Sequence, residues 1–270
     1  MTSRLEAIER ALVASITEPD ATRLGGAARA AWLEGRGLQA QDREALAAVD
    51  DQSFSVYRAI VRKMLRSAIL LELPRTATLL GARFERDLAT YLEALPRSHY
   101  LRDAAFELYE AASPGWAADP TLPPFASDLA RHELSELEIG SSLEDAGVLP
   151  TSEELDLALP VRTGGSAGIY RYAYPVHELE GDATQLEARE TILLGYRDRE
   201  HDVRYLSLTP LAAEIVERLF EGAPLGAAIT EACVARGVAL DPALLDETSR
   251  LLADLAERGV LVGSATDPDA

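Results

Sequence analysis

Apolar residues recur at helical spacing through the first half of the chain. Leu5, Ile8, Ala11 and Leu12 predict an amphipathic helix near the start, and Phe54, Tyr57, Val61, Met64, Leu65, Ala68 and Leu71 predict a longer one. That second pattern stops at Leu73-Pro74, because proline disfavours helix in the residue before it. Leu79 to Leu95 carries Leu80, Phe84, Leu88, Tyr91 and Leu92 before Pro96, and His99 to Ala112 carries Tyr100, Ala104, Leu108 and Ala111 before Pro114. After the breaker-rich stretch Ser113 to Pro124, Phe125, Leu129, Leu134 and Leu137 read as one more helix ending near Gly140.

The period then changes. Pro150, Pro160 and the run Gly164-Gly165-Ser166-Ala167-Gly168 mark an irregular or only partly paired segment. Beyond it, Ile169 to Leu179 alternates Tyr170, Tyr172, Tyr174 and Val176 with other residues. Thr191 to Tyr196 is compact and apolar, and Val203 to Leu208 alternates again, with Asp198 to Asp202 as a hairpin turn. Three helices close the chain. Thr209-Pro210 starts the first, Pro224 the second with Leu225, Ile229 and Cys233 on one face, and Asp241-Pro242 the third, which Gly259 stops. The expected fold is α+β. A helical domain (1–145) and a linker (146–168) precede a domain (169–270) ordered β-β-β-α-α-α, a small antiparallel sheet with three helices.

Composition narrows the chemistry. The 270 residues hold 45 acidic and 26 basic side chains, a net charge of −19, so a nucleic-acid surface would have to gather arginine against a repelling field. Lys63 is the one lysine, which leaves little for Schiff-base or Walker-type chemistry, and Cys233 is the one cysteine, which excludes an internal disulfide and a CxxC pair. The charged start lacks the apolar stretch of a secretory signal, and no apolar run approaches membrane length, so a cytoplasmic location is expected.

The C-terminal part resembles the RiPP recognition element, similar to the PqqD family with its winged-helix-like layout, which captures the leader of a ribosomally made precursor peptide. The resemblance rests on Leu206-Ser207-Leu208-Thr209, on Ala212-Ala213-Glu214-Ile215-Val216, and on Leu252-Ala253-Asp254-Leu255-Ala256-Glu257-Arg258-Gly259-Val260-Leu261. Val56-Tyr57-Arg58, Leu122-Pro123-Pro124-Phe125, Asp128-Leu129-Ala130-Arg131-x-Glu133 and Tyr174-Pro175-Val176-His177 resemble the HvfC family, whose N-terminal region often carries a DNA-binding label. Here His132 and Leu134 flank Glu133, where that family tends to place a bulky apolar pair.

The resemblance implies a non-catalytic partner of a multinuclear non-haem iron oxidative enzyme that modifies precursor-peptide cysteines, as in the methanobactin and thiaglutamate pathways. It implies a heterodimer with that enzyme, docked by the helical domain (1–145), with iron in the enzyme and no cofactor in this chain. The strand residues Val203, Arg204, Tyr205, Leu206 and Ser207 are then expected to meet the leader, with Leu251 and Leu255 on the opposite groove wall. Arg131, Glu133, Tyr174 and His177 are expected at the enzyme interface.

Other chemistries fit less well. Gly164-x-Ser166-x-Gly168 matches a nucleophile elbow, but a strand pattern follows where the elbow needs a helix. Asp128, His132 and Glu136 share a helix face, a spacing compatible with metal ligation, but further ligands and a second His-rich helix are lacking, so a hydrated surface with weak i, i+4 pairs is the expectation. A DNA-binding regulator is the alternative function. It needs an arginine-rich recognition helix, whereas the last helix offers Asp246, Glu247, Asp254 and Glu257 against Arg250 and Arg258.

Overall fold

The computed structural model describes residues 4–17, 26–94, 100–142, 151–152, 155–164, 166–181 and 185–265. The chain divides into two compact units, Met1–Ala130 and Arg131–Ala270.

The first unit is helical: α1 (Arg4–Thr17), α2 (Gly26–Leu33), α3 (Ala40–Ala47), α4 (Asp51–Glu72), α5 (Pro74–Leu80), α6 (Ala82–Ala94), α7 (Asp103–Ala118) and the first residues of α8 (Ala126–Gly140). Asp50 caps α4 by accepting the Ser53 N–H at 2.8 Å, and the helix ends before Pro74, which opens α5. Phe84, Leu88, Leu108, Trp116 and Phe125 are fully buried at its centre.

Two features depart from the sequence pattern. Helices α2 and α3 carry no apolar stripe that would announce them. Part of their setting comes from the buried Arg29, which stacks on Phe54 at 4.0 Å and pairs with Asp51. Helix α7 also runs through Pro114 to Ala118 instead of ending before it, while His99 lies outside the described residues. An internal proline costs about 3 kcal/mol. Two residues later, however, Trp116 is 1% exposed, stacks on Phe84, and donates its indole N–H to Asp87 at 2.7 Å. Burying that ring is worth about 3–5 kcal/mol and carries the helix across.

The second unit contains the rest of α8, then β1 (Thr151–Ser152), β2 (Val161–Thr163), β3 (Ala167–Tyr172), a 3-10 turn (Val176–Glu178), β4 (Thr191–Arg197), β5 (Val203–Ser207), α9 (Pro210–Phe220), α10 (Leu225–Arg236), α11 (Pro242–Glu257) and β6 (Leu261–Ala265). The run β3-β4-β5-α9-α10-α11 is the expected order in an α+β fold. Both strongest caps are in place: Thr209 accepts the Ala212 N–H and Asp241 the Leu244 N–H.

Strand β6 has no counterpart in the sequence reading. It lies between β1 and β2 in a second antiparallel sheet, so the segment before β3 is partly paired with the chain's far end. Gly164 is required there, because any Cβ would collide with the Gly259 carbonyl while the Gly164 N–H donates to Val260 at 2.9 Å.

Alternation sorts the β3-β4-β5 sheet into two faces. Ile192, Leu194 and Tyr196 enter a core with Ile215, Val216 and Leu219 of α9, Ile229 and Cys233 of α10, and Leu252 and Leu255 of α11. Tyr170, Leu193, Gly195 and Tyr205 share the other face by register, and α8 lies over it. A side chain at Gly195 would strike Ile139, so the missing Cβ lets helix and sheet approach.

Candidate functional site

The sheet order is β3-β4-β5, which makes β5 an edge. Its register pairs Leu206 with Leu194, Tyr205 with Gly195 and Arg204 with Tyr196. Just outside the strand, the Leu208 N–H donates to Ile192 and the Asp198 N–H to Asp202, both at 2.9 Å. Antiparallel ladders alternate bonded and non-bonded pairs, so the even-numbered residues Arg204 and Leu206 exchange bonds with β4. The main-chain groups of Val203, Tyr205 and Ser207 therefore point away from the sheet. Among the described residues no strand pairs with that side.

The hairpin that presents this edge is held by Asp198. Its carboxylate accepts the Glu200 and Asp202 N–H groups at 3.1 and 2.8 Å and the Arg204 guanidinium at 2.8 Å. The Arg204 bond above all holds the Asp198 carboxyl below its ordinary range.

A groove of about 240 Å³ lies where β5 runs into α9, facing α11. Leu208, Leu211 and Ile215 line one side, and Leu244, Thr248 and Leu251 the other; Ser207 and Glu247 also line it. Ser207 thus belongs to both the edge and the groove, and Glu247 is its one charged lining residue. Leu251 is half-buried, as a wall residue can be. Leu255 is not on the wall: it lies on the same helix face one turn beyond Leu251, past the end of the groove, where it is 0% exposed and packed into the core.

On the other face of the sheet, α8 and three tyrosines form a hydrogen-bonded aromatic layer. The Tyr205 and Ser135 hydroxyls are 2.6 Å apart, and Ser135 also donates to the His132 carbonyl at 2.6 Å. The His132 ring lies 4.6 Å from Tyr205 and meets Tyr172 edge-on at 5.6 Å. Arg131 sits over the Tyr170 ring and donates to Glu138 at 2.8 Å, and Tyr170 donates to Glu138 at 3.3 Å. Burial pushes the Tyr170 and Tyr205 phenols well above the ordinary value, so both stay uncharged.

This layer revises two expectations. Tyr205 offers an outward main chain, but its ring is turned to α8 and locked there, so its side chain is a support for the edge strand. Glu133 is 7% exposed, within the protein instead of on a surface that a partner reaches. The alternating tyrosines were visible in the sequence; the α8 histidine and serine that receive them were not, because they lie about 40 and 70 positions away.

The remaining positions have these settings. Tyr174 is half-buried just after β3. His177 lies in the 3-10 turn with Nε2 3.6 Å from Glu178, and its Nδ1 has no hydrogen-bond partner among the described residues. Burial lowers its pKa, against the opposing pull of Glu178. Ser166 comes directly before β3, with no helix after it and its hydroxyl unpartnered among the described residues, which is not an elbow. His132 packs between rings, and no group of three or more metal-ligating side chains occurs among the described residues.

Residues 166–256 match the family model described as the HvfC C-terminal domain. The match covers the β3-β4-β5 sheet, α9, α10, the groove and nearly all of α11. No curated protein matches the chain. No described helix is long and apolar enough to cross a membrane.

Proposed function

We propose that this chain is a non-catalytic adaptor. Its second unit binds the leader of a ribosomally made precursor peptide and presents the peptide's cysteine to a multinuclear non-haem iron oxidative enzyme. The observation that carries the reading is the coincidence of an unpaired strand edge, Val203 to Ser207, with an apolar groove that shares Ser207. A leader is disordered when free, so its binding must offset ordering entropy, and main-chain pairing along β5 does this with little demand on sequence. Leu208 and Ile215 on one side of the groove and Leu251 on the other then select an apolar side chain. The match of this region to the HvfC C-terminal domain supports the same role.

The adaptor's contribution is tethering, which raises the effective concentration of the cysteine at the partner's iron. Arg131, Tyr174 and His177 remain the proposed enzyme contacts in this unit. The net charge of −19 favours a leader segment that is basic or near neutral.

The test is co-expression with the candidate iron enzyme and its precursor peptide. Peptide modification is expected only when all three are present, with the leader bound by the purified chain. Full modification without this chain would overturn the proposal.

A further inference from the structure

Helix α4 is apolar on two opposite sides. Phe54, Leu65 and Ile69 are buried in the first unit. On the far side Val56, Ile60, Met64 and Leu71 recur at i, i+4, i+8 and i+15, with Tyr57 beside the first. They are 52, 49, 49 and 75% exposed, and Tyr57 is 47% exposed. A helix on the surface of a globular unit keeps its outer side polar, and a continuous exposed apolar row of this kind marks an interaction surface.

The charge carried by this helix, and above all Lys63 beside the row, states what fits it. Between Gln52 and Leu71 this helix has no carboxylate, and its charged residues there are Arg58, Arg62, Lys63 and Arg66, in a chain whose net charge is −19. Arg66 is engaged by Glu85 at 2.6 and 2.7 Å, while Arg62 and Lys63 make no ion pair among the described residues. Lys63 adjoins Met64 and lies one turn from Ile60, so it borders the row directly. A second copy of the chain laid against this face would bring a second Lys63 to the same apolar seam with no carboxylate between Gln52 and Leu71 to meet it, which disfavours self-pairing.

We propose that this row is the surface on which the helical unit docks the partner enzyme, and that the enzyme's matching face is an apolar ridge bordered by carboxylates. The inference rests on the adaptor reading above and adds to it where the first unit makes contact. The apolar row supplies the buried centre of the interface, and Lys63 at its border supplies orientation and a dependence on salt.

The experiment measures affinity of the full chain for the candidate iron enzyme, alongside affinity for a labelled leader and sedimentation of the chain alone. The variants are the double substitution Ile60→Asp with Met64→Asp, and Lys63→Glu alone. All three positions are exposed, and circular dichroism checks that the helices are retained. The double variant is expected to bind the enzyme at least about tenfold more weakly with leader affinity unchanged. Lys63→Glu is expected to weaken enzyme binding at low salt and to flatten its salt dependence.

Unchanged enzyme affinity in the double variant would overturn this surface while leaving the adaptor reading intact. Wild-type chain that fails to bind the enzyme would overturn both. A wild-type dimer that the double variant dissociates would assign the row to self-association and overturn the proposal in that way.

Discussion

Replacing Ser207 by proline separates leader pairing from folding. The Ser207 N–H points away from the sheet, so proline there removes no bond to β4, and edge strands accept proline on their solvent side. A leader strand loses more. It forfeits one main-chain hydrogen bond, worth about 1 kcal/mol net, and its carbonyl is left without a donor for about another 1 kcal/mol. The sum of about 2 kcal/mol corresponds to roughly a 30-fold rise in Kd. Leu206→Pro is the contrast, because its N–H lies in the ladder to Leu194, and losing that bond in the sheet destabilises the fold itself. Ser207→Ala controls for the hydroxyl and is expected to bind normally. Fluorescence anisotropy of a labelled leader gives the Kd, and a thermal melt gives the stability. A Ser207→Pro protein with native melting and leader affinity within about twofold of wild type would show that the peptide does not extend this sheet edge.

Two further outcomes test the frame around the groove. Gly195→Ala forces a Cβ against Ile139 and within 3.0 Å of the Tyr170 and Tyr205 rings, so it is expected to cost about 1–3 kcal/mol in urea unfolding, with partial recovery when Ile139 is shortened to Val; unchanged stability would mean that α8 does not rest on the sheet there. His177 is expected to titrate below its ordinary 6.5 by NMR, since burial disfavours its charged form. Because its folded pKa lies below its unfolded one, its contribution to stability is complete above 6.5 and is lost as the pH falls from there toward the folded value. His177→Gln should remove that part of the acid sensitivity, and an unaltered pH profile would contradict it.

Much of the second unit was legible in the sequence because its signals are local. Thr209-Pro210 and Asp241-Pro242 place a cap and a first-turn proline where α9 and α11 begin, a compact apolar run marks β4, and alternation marks β5. The edge character of β5 follows from the short hairpin and the helix that comes next. Signals that depend on distant residues were not legible. β6 is specified by pairing with strands about 100 positions earlier, and its own five residues, two of them glycine or serine, carry little pattern. α7 crosses Pro114 because of a tryptophan site that only packing creates.

The sequence by itself determined the order of elements, the helix caps, the acidic field and the alternation that gives each strand two sides, since these depend on neighbours within a turn or two. Tertiary structure alone decided which side faces what. It put Leu255 in the core and Leu251 on the groove, turned Tyr205 toward His132 and Ser135, and left one row of α4 uncovered. Periodicity marks a residue as apolar and places it on a face; whether protein, groove or solvent lies opposite depends on chain that folds back from far away.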